Sequence, residues 1–306
     1  MTTAHLVLEP NLSYFQAIFM GLLQGVTELF PISSLGHGVL FPALFGWHNL
    51  VSDQEGQQAF FLTFLVGLHV GTALGLMAYY RSTWFTLFMG LGRQLKKSRN
   101  EGLSSLWKLN DEAMDKNYRR LLIIAIGSIP VAIAGLLLEK SLRALFAKPL
   151  AAACFLTLNG IILLVGERLV KSRGKHVQLK KLDTLNFGSA LAIGSAQISA
   201  LFAGISRSGA TIVAGLLGDL NHEEAAKFSF LLATPVILGA GLYKLPSLIG
   251  HGGDGVRMQT FIGALFAMGA SYISVKFLTK WFAAKTLVPF GIYSLVIGLL
   301  CVIRFA

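Results

Sequence analysis

Long apolar runs are the feature of this 306-residue sequence that most restricts its fold. A helix needs about 20 consecutive apolar residues to cross the hydrocarbon layer of a bilayer, which is roughly 30 Å thick. Six runs of this kind are present, at 59–80, 121–138, 149–167, 226–246, 258–279 and 286–304. Only 13% of the residues are charged, whereas soluble domains average about 25%. Outer-membrane barrels show alternating segments of ~10 residues instead, so the sequence predicts an all-α polytopic membrane protein.

Two further apolar segments, 13–46 and 185–218, are interrupted in their middles by proline, glycine and serine. Irregular backbone at membrane depth is tolerated only where it is buried in protein or lines a wet cavity. We therefore predict two broken, re-entrant helical hairpins in addition to the six full transmembrane helices.

The distribution of Lys and Arg predicts the orientation of the chain, because cytoplasmic loops are rich in these residues. Segment 81–120 contains nine of them and segment 168–184 contains six, whereas residues 1–58 contain none. We therefore expect 81–120 to be a basic cytoplasmic loop and the N-terminal region to lie outside. The same distribution accounts for the formal net charge of +11 without a nucleic-acid partner.

These orientations make the hairpin 13–46 enter from outside and the hairpin 185–218 enter from inside. Each hairpin is followed by three spans, and three is odd, so the two halves of the chain have opposite orientations. The sequence thus predicts one integral membrane domain built as an inverted-topology repeat, with halves 13–138 and 149–304. With an offset of 173 residues, the two interruptions align with five identities in 18 positions, which is weak support.

The first interruption reads QGVTELFPISSLGHG, residues 24–38. Gln24 and Glu28 are four residues apart and share one face of a helix. Pro31 then disfavours further helix at the residue before it. Ser33 and Ser34 open the next apolar run, where free backbone N–H groups at a helix start form a ready site for an anion.

The second interruption, GISRSGAT at residues 204–211, has a similar composition. Arg207 supplies a permanent cation whose forked donors suit phosphate. Gly209 permits close backbone approach, and hydroxyl groups are supplied by Ser206, Ser208 and Thr211. The two interruptions together predict a phosphate-binding site that includes Ser33, Ser206, Arg207, Ser208, Gly209 and Thr211.

An ionised side chain at mid-bilayer costs about 2.5–3.5 kcal/mol on insertion scales, so Glu28 and Arg207 need a reason to be there. One interpretation is a structural ion pair that joins the two hairpins. The cluster of hydroxyl groups favours a functional anion site instead. His37, beside Ser34 and Glu28 in the sequence, is a candidate general acid, general base or nucleophile. His69, in the middle of a span, is interpreted as a packing or supporting residue.

These motifs closely resemble those of a known family. QGVTELFPISSLGHG resembles the first signature of the bacterial undecaprenyl-diphosphate phosphatases, also called bacitracin-resistance phosphatases, and GISRSGATIVAGLLG resembles the second. FSFLLATPVILGAG resembles the helix that follows, and the resemblance covers nearly the whole chain. It implies interdigitated inverted repeats in the bacterial inner membrane, with a site open to the periplasm.

The resemblance also implies the reaction. Such an enzyme hydrolyses a C55 isoprenyl diphosphate to the monophosphate and inorganic phosphate, which recycles the lipid carrier for peptidoglycan synthesis and confers bacitracin resistance. Activity in the family depends on a divalent cation, Mg²⁺ or Ca²⁺. The partner is thus a membrane-embedded lipid, and a homodimer is left open.

The implied roles fall on named positions. Glu28 and Gln24 match the family's acidic motif, and they would hold the cation, Gln24 through a water molecule. Ser34 matches the proposed nucleophile, His37 the family histidine and Arg207 the arginine that clamps phosphate. Leu35 departs from the pattern, since many members carry Thr there, and a hydroxyl beside the site is lost.

The sequence leaves the chemical route open. Ser34 could attack phosphorus after giving its proton to Glu28 or His37, or one of these two residues could activate water while Ser34 only positions it. A polyisoprenyl-phosphate flippase or transporter is the alternative function, because inverted repeats with broken helices are typical of transporters.

Overall fold

The computed structural model describes residues 12–47, 50, 59–106, 114–146, 148–172, 180–249 and 255–306. Within these ranges the chain is helical, and the only β-structure is one isolated bridge between Lys180 and Leu220. Its α-helices are α1 (Tyr14–Thr27), α2 (Ser34–Leu44), α3 (Ala59–Tyr79), α4 (Arg81–Glu101), α5 (Lys116–Phe146), α6 (Pro149–Ser172), α7 (Phe187–Ser195), α8 (Arg207–Leu217), α9 (His222–Ile249), α10 (Arg257–Phe282) and α11 (Val288–Phe305).

Five of the described helices contain segments long and apolar enough to cross a membrane. These segments are Lys116–Leu138, Pro149–Ser172, His222–Lys244, Arg257–Phe282 and Val288–Phe305. Helix α3, with 21 residues, covers the remaining predicted span at 59–80. Large apolar side chains such as Leu137, Leu242 and Ile303 point outward from these helices and are well exposed, as lipid-facing residues are. The predicted class, a polytopic helical membrane protein, is confirmed.

Helices α1 and α2 are short pieces separated by residues 28–33, which we call the first break. Helices α7 and α8 are short pieces too, and residues 202–206, directly before α8, are the second break. Helix α2 has 11 residues and α8 also has 11, so each is about 16 Å long, well short of the roughly 30 Å of hydrocarbon. Pro31 disfavours helix at Phe30, but α1 already ends at Thr27, three residues before Phe30. A 3₁₀ segment, Ala196–Leu201, follows α7 before the second break.

The two breaks touch each other. Ser33, which has a positive φ of 71°, accepts a hydrogen bond from the Gly36 N–H and another from the Gly204 N–H, both at 3.2 Å. Gly204 also has a positive φ, 116°, and a Cβ on Gly36 would lie only 2.9 Å from its Cα. Glycine is required at both positions, because a side chain would separate the two breaks.

Small residues let the other helices pack closely around the breaks. Helices α1 and α3 both pack on α10, α7 packs on α5, and α6 packs on α11. A Cβ on Gly21 would meet the Gly263 carbonyl oxygen at 2.2 Å, and one on Gly194 would meet the Gly127 oxygen at 2.0 Å. Such contacts between backbones are typical of helices that associate inside a membrane.

Segment 81–120, predicted as a basic loop, is largely helical. Helix α4 occupies Arg81–Glu101, and a short 3₁₀ turn follows at Leu103–Leu106. The α4 face with Trp84 and Leu87 is buried, and the helix packs on α5. The apolar face in the first half of α4 accounts for this helix, and the cytoplasmic location of 81–120 stays a prediction.

Polar groups at the ends of the spans join neighbouring helices. Arg120 makes a bidentate ion pair with Asp183. Its hydrogen bonds lower the pKa of the Asp183 carboxyl. Buried Glu167 on α6 accepts a hydrogen bond from the Leu287 N–H at 3.2 Å and lies 2.9 Å from His222 Nε2. These contacts fix helix ends and include none of the residues in the two interruptions, 24–38 and 204–211.

Candidate active site at the two helix breaks

Glu28 lies at the centre of the candidate site. It caps the C-terminus of α1, where Gln24, one turn earlier, donates a hydrogen bond from Nε2 to Glu28 Oε2 at 3.2 Å. Both side chains are buried. The predicted shared face of α1 is therefore present, and it places the carboxylate at the first break.

Arg207 is the first residue of α8 and reaches across from the second break. Its Nη2 and Nε donate to Glu28 Oε1 at 3.0 and 3.3 Å, and its Nη1 donates to the Ser229 carbonyl oxygen at 3.3 Å. The ion pair is almost fully buried, with 10% of the Arg207 side chain and 7% of Glu28 exposed. This contact is the ion pair of the structural interpretation, and it joins the two breaks; the interpretation as an anion site stays a prediction.

Ser34 is the first residue of α2, and its hydroxyl donates a short hydrogen bond to Glu28 Oε2. One carboxylate thus receives a guanidinium on one oxygen and a serine hydroxyl on the other. A hydroxyl that donates to a carboxylate is the arrangement of an activated nucleophile with its general base.

His69 also contacts the carboxylate, which agrees with the supporting role, one of the two that the sequence indicated. Its Nε2 lies 3.4 Å from Glu28 Oε2, and its Nδ1 lies 2.7 Å from the Leu65 carbonyl oxygen. Because a carbonyl oxygen can only accept, Nδ1 carries a hydrogen. This hydrogen bond to Leu65 holds the ring with Nε2 facing Glu28. The only sequence signal for this residue was a histidine inside an apolar run, and the sequence could not show which way it faces.

His37 is not brought to this cluster. Its Nδ1 lies 2.7 Å from the Ser33 carbonyl oxygen, its Nε2 lies 2.9 Å from the Tyr293 hydroxyl, and its ring stacks on Tyr293 and Phe41. Within the described part of the chain it makes no hydrogen bond to Glu28, Ser34 or Arg207. Its position one helical turn after Ser33 points it toward α11 instead, so the geometry gives it a holding role.

The predicted phosphate-binding hydroxyls are largely used by the backbone around them. Ser33 and Ser206 are the N-cap residues of α2 and α8, and each accepts from the N–H of the glycine three residues later, Gly36 and Gly209. Thr211 donates to the Arg207 carbonyl oxygen at 2.7 Å. Ser208 lies with its Oγ 3.0 Å from Ser206 Oγ.

The helix starts remain for an anion, together with the Arg207 guanidinium, which is bound to Glu28 and Ser229 in this structure. The first N–H groups of a helix have no partner within it and carry the positive end of its dipole. Helices α2 and α8 both begin at the contact between the breaks, beside Glu28, Ser34 and Arg207. An anionic ligand at this place would meet two helix starts and one guanidinium.

Asn159, in the middle of α6, was missed by the sequence analysis. Its Oδ1 accepts from the Ser206 N–H at 2.9 Å, and its Nδ2 donates to the Pro31 carbonyl oxygen at 3.0 Å and to Ser294 Oγ at 3.1 Å. One amide therefore satisfies a backbone group from each break. The only signal was a polar residue inside the apolar run at 149–167.

Glu28 and Ser34 offer oxygen atoms of the kind that a divalent cation takes, whereas Gln24 presents its Nε2 to Glu28. No group of three or more His, Cys, Asp or Glu side chains suited to a metal occurs within the described ranges. Glu28 nevertheless has the Ser34 hydroxyl and the Gln24 amide beside it. Mg²⁺ is commonly held by one or two carboxylates together with substrate phosphates, so a single carboxylate suffices.

Comparison with known proteins identifies the relatives of this chain. Residues 17–300 match the family model described as bacitracin resistance protein BacA. Undecaprenyl-diphosphatase 2 of Frankia alni is 43% identical over 97% of this chain and 99% of its own length. The undecaprenyl-diphosphatase of Mycolicibacterium paratuberculosis is 42% identical, over 95% and 97% of the two chains. Undecaprenyl-diphosphatase 2 of Burkholderia ambifaria is 41% identical, over 94% and 95%.

Replacing Asn159 should destabilise the contact between the breaks. We expect Asn159→Ala to lower the free energy of unfolding by about 1–3 kcal/mol, because the buried Ser206 N–H and Pro31 carbonyl lose their partner. The matched control is Ser294→Ala, which removes only one of the three bonds. Thermal unfolding in detergent checks the difference, and equal stability of the two variants would contradict the bridging role.

Proposed function

The chain belongs to the bacitracin resistance protein BacA family, and on that premise we propose that it hydrolyses undecaprenyl diphosphate to undecaprenyl phosphate and inorganic phosphate. The observation that carries the proposal is Glu28, held between the Ser34 hydroxyl and the Arg207 guanidinium. The reaction returns the lipid carrier to peptidoglycan synthesis, and the enzyme confers bacitracin resistance.

The substrate is a lipid whose charged end must enter the protein. Arg207 and the starts of α2 and α8 would bind the diphosphate, and the isoprenyl chain would stay in the apolar surroundings. The hydroxyl groups of Ser33, Ser206, Ser208 and Thr211 shape the site by holding the backbone. Phosphoryl transfer depends mainly on such positioning and charge neutralisation.

In the covalent route, Ser34 Oγ forms a bond to the terminal phosphorus and passes its proton to Glu28. The bond from that phosphorus to the bridging oxygen breaks, and undecaprenyl phosphate leaves. Water then hydrolyses the phosphoserine, which restores Ser34 and releases inorganic phosphate. In the direct route, Ser34 orients a water molecule, whose oxygen bonds to the terminal phosphorus as Glu28 takes one of its protons. The bond from that phosphorus to the bridging oxygen breaks, and undecaprenyl phosphate and inorganic phosphate leave. A trapped phosphate on Ser34 would distinguish the covalent route.

A divalent cation, Mg²⁺ or Ca²⁺, would be held by Glu28 and, through a water molecule, by Gln24. When bound, it would supply positive charge that neutralises the phosphate oxygens. The side chains do the remaining work, because Arg207 orients the phosphate and Glu28 accepts the proton from the attacking group.

His69 replaces His37 as the histidine that bears on the chemistry. Its contact with Glu28 Oε2, 3.4 Å away, holds the carboxylate oxygen that faces Ser34. His37 fixes the start of α2 through the Ser33 carbonyl and Tyr293. His69 is thus a positioning residue for Glu28, and His37 is a positioning residue for the helix that carries Ser34.

The flippase alternative needs an anion site but no nucleophile. The hydrogen bond from Ser34 to Glu28 has no use in moving a lipid, so it favours the phosphatase. Release of inorganic phosphate separates the two functions directly.

We place the protein in the inner membrane with its site open to the periplasm and 81–120 on the cytoplasmic side. The halves 13–138 and 149–304 would be the inverted repeat, with one hairpin entering from each side. The matching N-caps support this arrangement, since Ser33 with Gly36 and Ser206 with Gly209 are related by the same offset of 173 residues. A homodimer is compatible with this placement.

The proposed activity is tested by phosphate release from C55 isoprenyl diphosphate, using purified protein with Mg²⁺ or Ca²⁺ and a chelator control. We expect Arg207→Ala and Ser34→Ala to lower kcat/KM by about 10³-fold or more, and Glu28→Gln by about 10²- to 10⁴-fold. Arg99→Ala, which changes an exposed arginine on α4, is the matched control. Well-folded wild-type protein that releases no phosphate would overturn the proposal in favour of the flippase.

The two histidines should behave differently when each is changed to asparagine. His69→Asn should lower kcat by about 10- to 100-fold with little change in KM, because it removes a contact that orients Glu28. His37→Asn should mainly lower the melting temperature, because it leaves the Ser33 carbonyl and the Tyr293 hydroxyl unpaired. Loss of turnover in well-folded His37→Asn together with normal turnover in His69→Asn would reverse this assignment.

The orientation is tested by labelling single cysteines in intact cells. In a background of Cys154→Ala and Cys301→Ala, a membrane-impermeant maleimide should label Lys148→Cys, which lies between α5 and α6. Ala283→Cys, just after α10, should react only after permeabilisation. The opposite pattern would show that the protein is inserted the other way.

A further inference from the structure

A groove outside the active site lies between α3, α9 and α10. Its volume is about 490 Å³, within the roughly 300–1,000 Å³ of ordinary ligand pockets. The α3 wall runs from Val66 to Leu74, a length of about 12 Å along the helix. Glycines 67, 71 and 241 line it at places where neighbouring helices pack closely, since a Cβ on each would lie 2.2–2.4 Å from an atom of the adjacent helix. None of its lining residues is among those that contact Glu28.

The groove is apolar along its length and cationic at one end. Val70, Phe261, Leu265 and Met268 are among the apolar side chains that line it, whereas its charged residues are Lys244 and Arg257. Lys244 ends the apolar segment of α9 and Arg257 begins that of α10. Both cations therefore belong to the same membrane–water interface, and the apolar part extends from there toward the middle of the bilayer.

Thr260 gives an independent indication of a ligand. It lines the groove one helical turn from Arg257, and its side chain is 2% exposed. Its Oγ1 has no hydrogen-bond partner within the described residues. Buried hydroxyls are normally satisfied, so an unpartnered one beside two cations suggests that a ligand atom completes the bonding.

We propose that this groove is a binding site for one anionic phospholipid, whose phosphate contacts Lys244, Arg257 and Thr260 while one acyl chain lies along α3 and α10. Charge complementarity identifies the headgroup, because each Lys or Arg near a membrane surface favours anionic lipids. The apolar wall below the cations matches a hydrocarbon chain that descends from the interface. The isoprenyl substrate is a poorer fit, since its phosphates are bound at Arg207.

The groove is also connected to the active site, because helix α3 contributes residues to both. Val66 and Val70 face the groove, and His69, between them on α3, contacts Glu28. A lipid that fills the groove would fix the turn of α3 that holds His69. The lipid is thus expected to stabilise the active geometry without touching the substrate.

The test is native mass spectrometry of the purified protein with added phosphatidylglycerol, compared with phosphatidylcholine of the same acyl chains. We expect one phosphatidylglycerol to bind preferentially, and the Lys244→Gln/Arg257→Gln double variant to weaken its binding by about 10- to 30-fold. The control double variant, Lys276→Gln/Lys280→Gln, removes two exposed charges from the other end of α10 and should bind as wild type does. Thr260→Val, nearly isosteric, should weaken binding less than the charge variant while folding normally.

A phosphatidylglycerol with a photoreactive acyl chain locates the bound lipid. Cross-links confined to 66–74 and 257–268 support the proposal, and cross-links spread evenly over the lipid-facing helices overturn it. Equal binding by the two double variants also overturns it. Displacement of the cross-linked lipid by C55 isoprenyl monophosphate would assign the groove to the substrate chain instead and likewise reject the phospholipid.

Discussion

The buried ion pair between Glu28 and Arg207 is the interaction on which the rest of the structure depends. Each charge alone would be costly at membrane depth, at about 2.5–3.5 kcal/mol on insertion scales. Together they satisfy each other, and the carboxylate gains Ser34, Gln24 and His69 as further partners. Removing either charge would leave the other buried and unpaired, which is the costly way to break such a pair. Both helix breaks must therefore meet at one place.

Breaking a helix inside a membrane exposes backbone groups, and this protein satisfies them with side chains from within the breaks and from α6. Ser33 accepts from N–H groups of both breaks, and Asn159 binds the Pro31 carbonyl and the Ser206 N–H. The hydroxyl groups that were predicted to bind phosphate are thus hydrogen-bonded within the protein itself. This division leaves a small, positively polarised site of two helix starts and one guanidinium.

Features that depend on local sequence were predictable, and features that depend on packing were not. The helix breaks, Glu28, Ser34 and Arg207 were found because proline, glycine and charge inside apolar runs are signals readable along the chain. His37 was predicted to take part in the chemistry and His69 to pack or support, because the sequence does not show the helix rotation that turns His69 toward Glu28 and His37 toward Tyr293. Asn159 lies 128 residues from Pro31 in the chain, so its role exists only in the folded state. The helix at Arg81–Glu101 was hidden because its basic residues suggested a loop.

On the proposed function, the same pair that joins the breaks would also link substrate binding to chemistry. Arg207 has donors on Glu28 Oε1, and a phosphate arriving at the helix starts would compete for those donors. If the guanidinium turned toward phosphate, Glu28 would keep the Ser34 hydroxyl as its closest partner, on the other oxygen. The carboxylate would then lose its neutralising charge when Ser34, or a water beside it, must lose a proton. On the proposed function, the ion pair that is structural in the free protein would thus serve as a phosphate clamp and a base when the substrate is bound, and the structural and the catalytic interpretations of Glu28 and Arg207 would describe two states of one site.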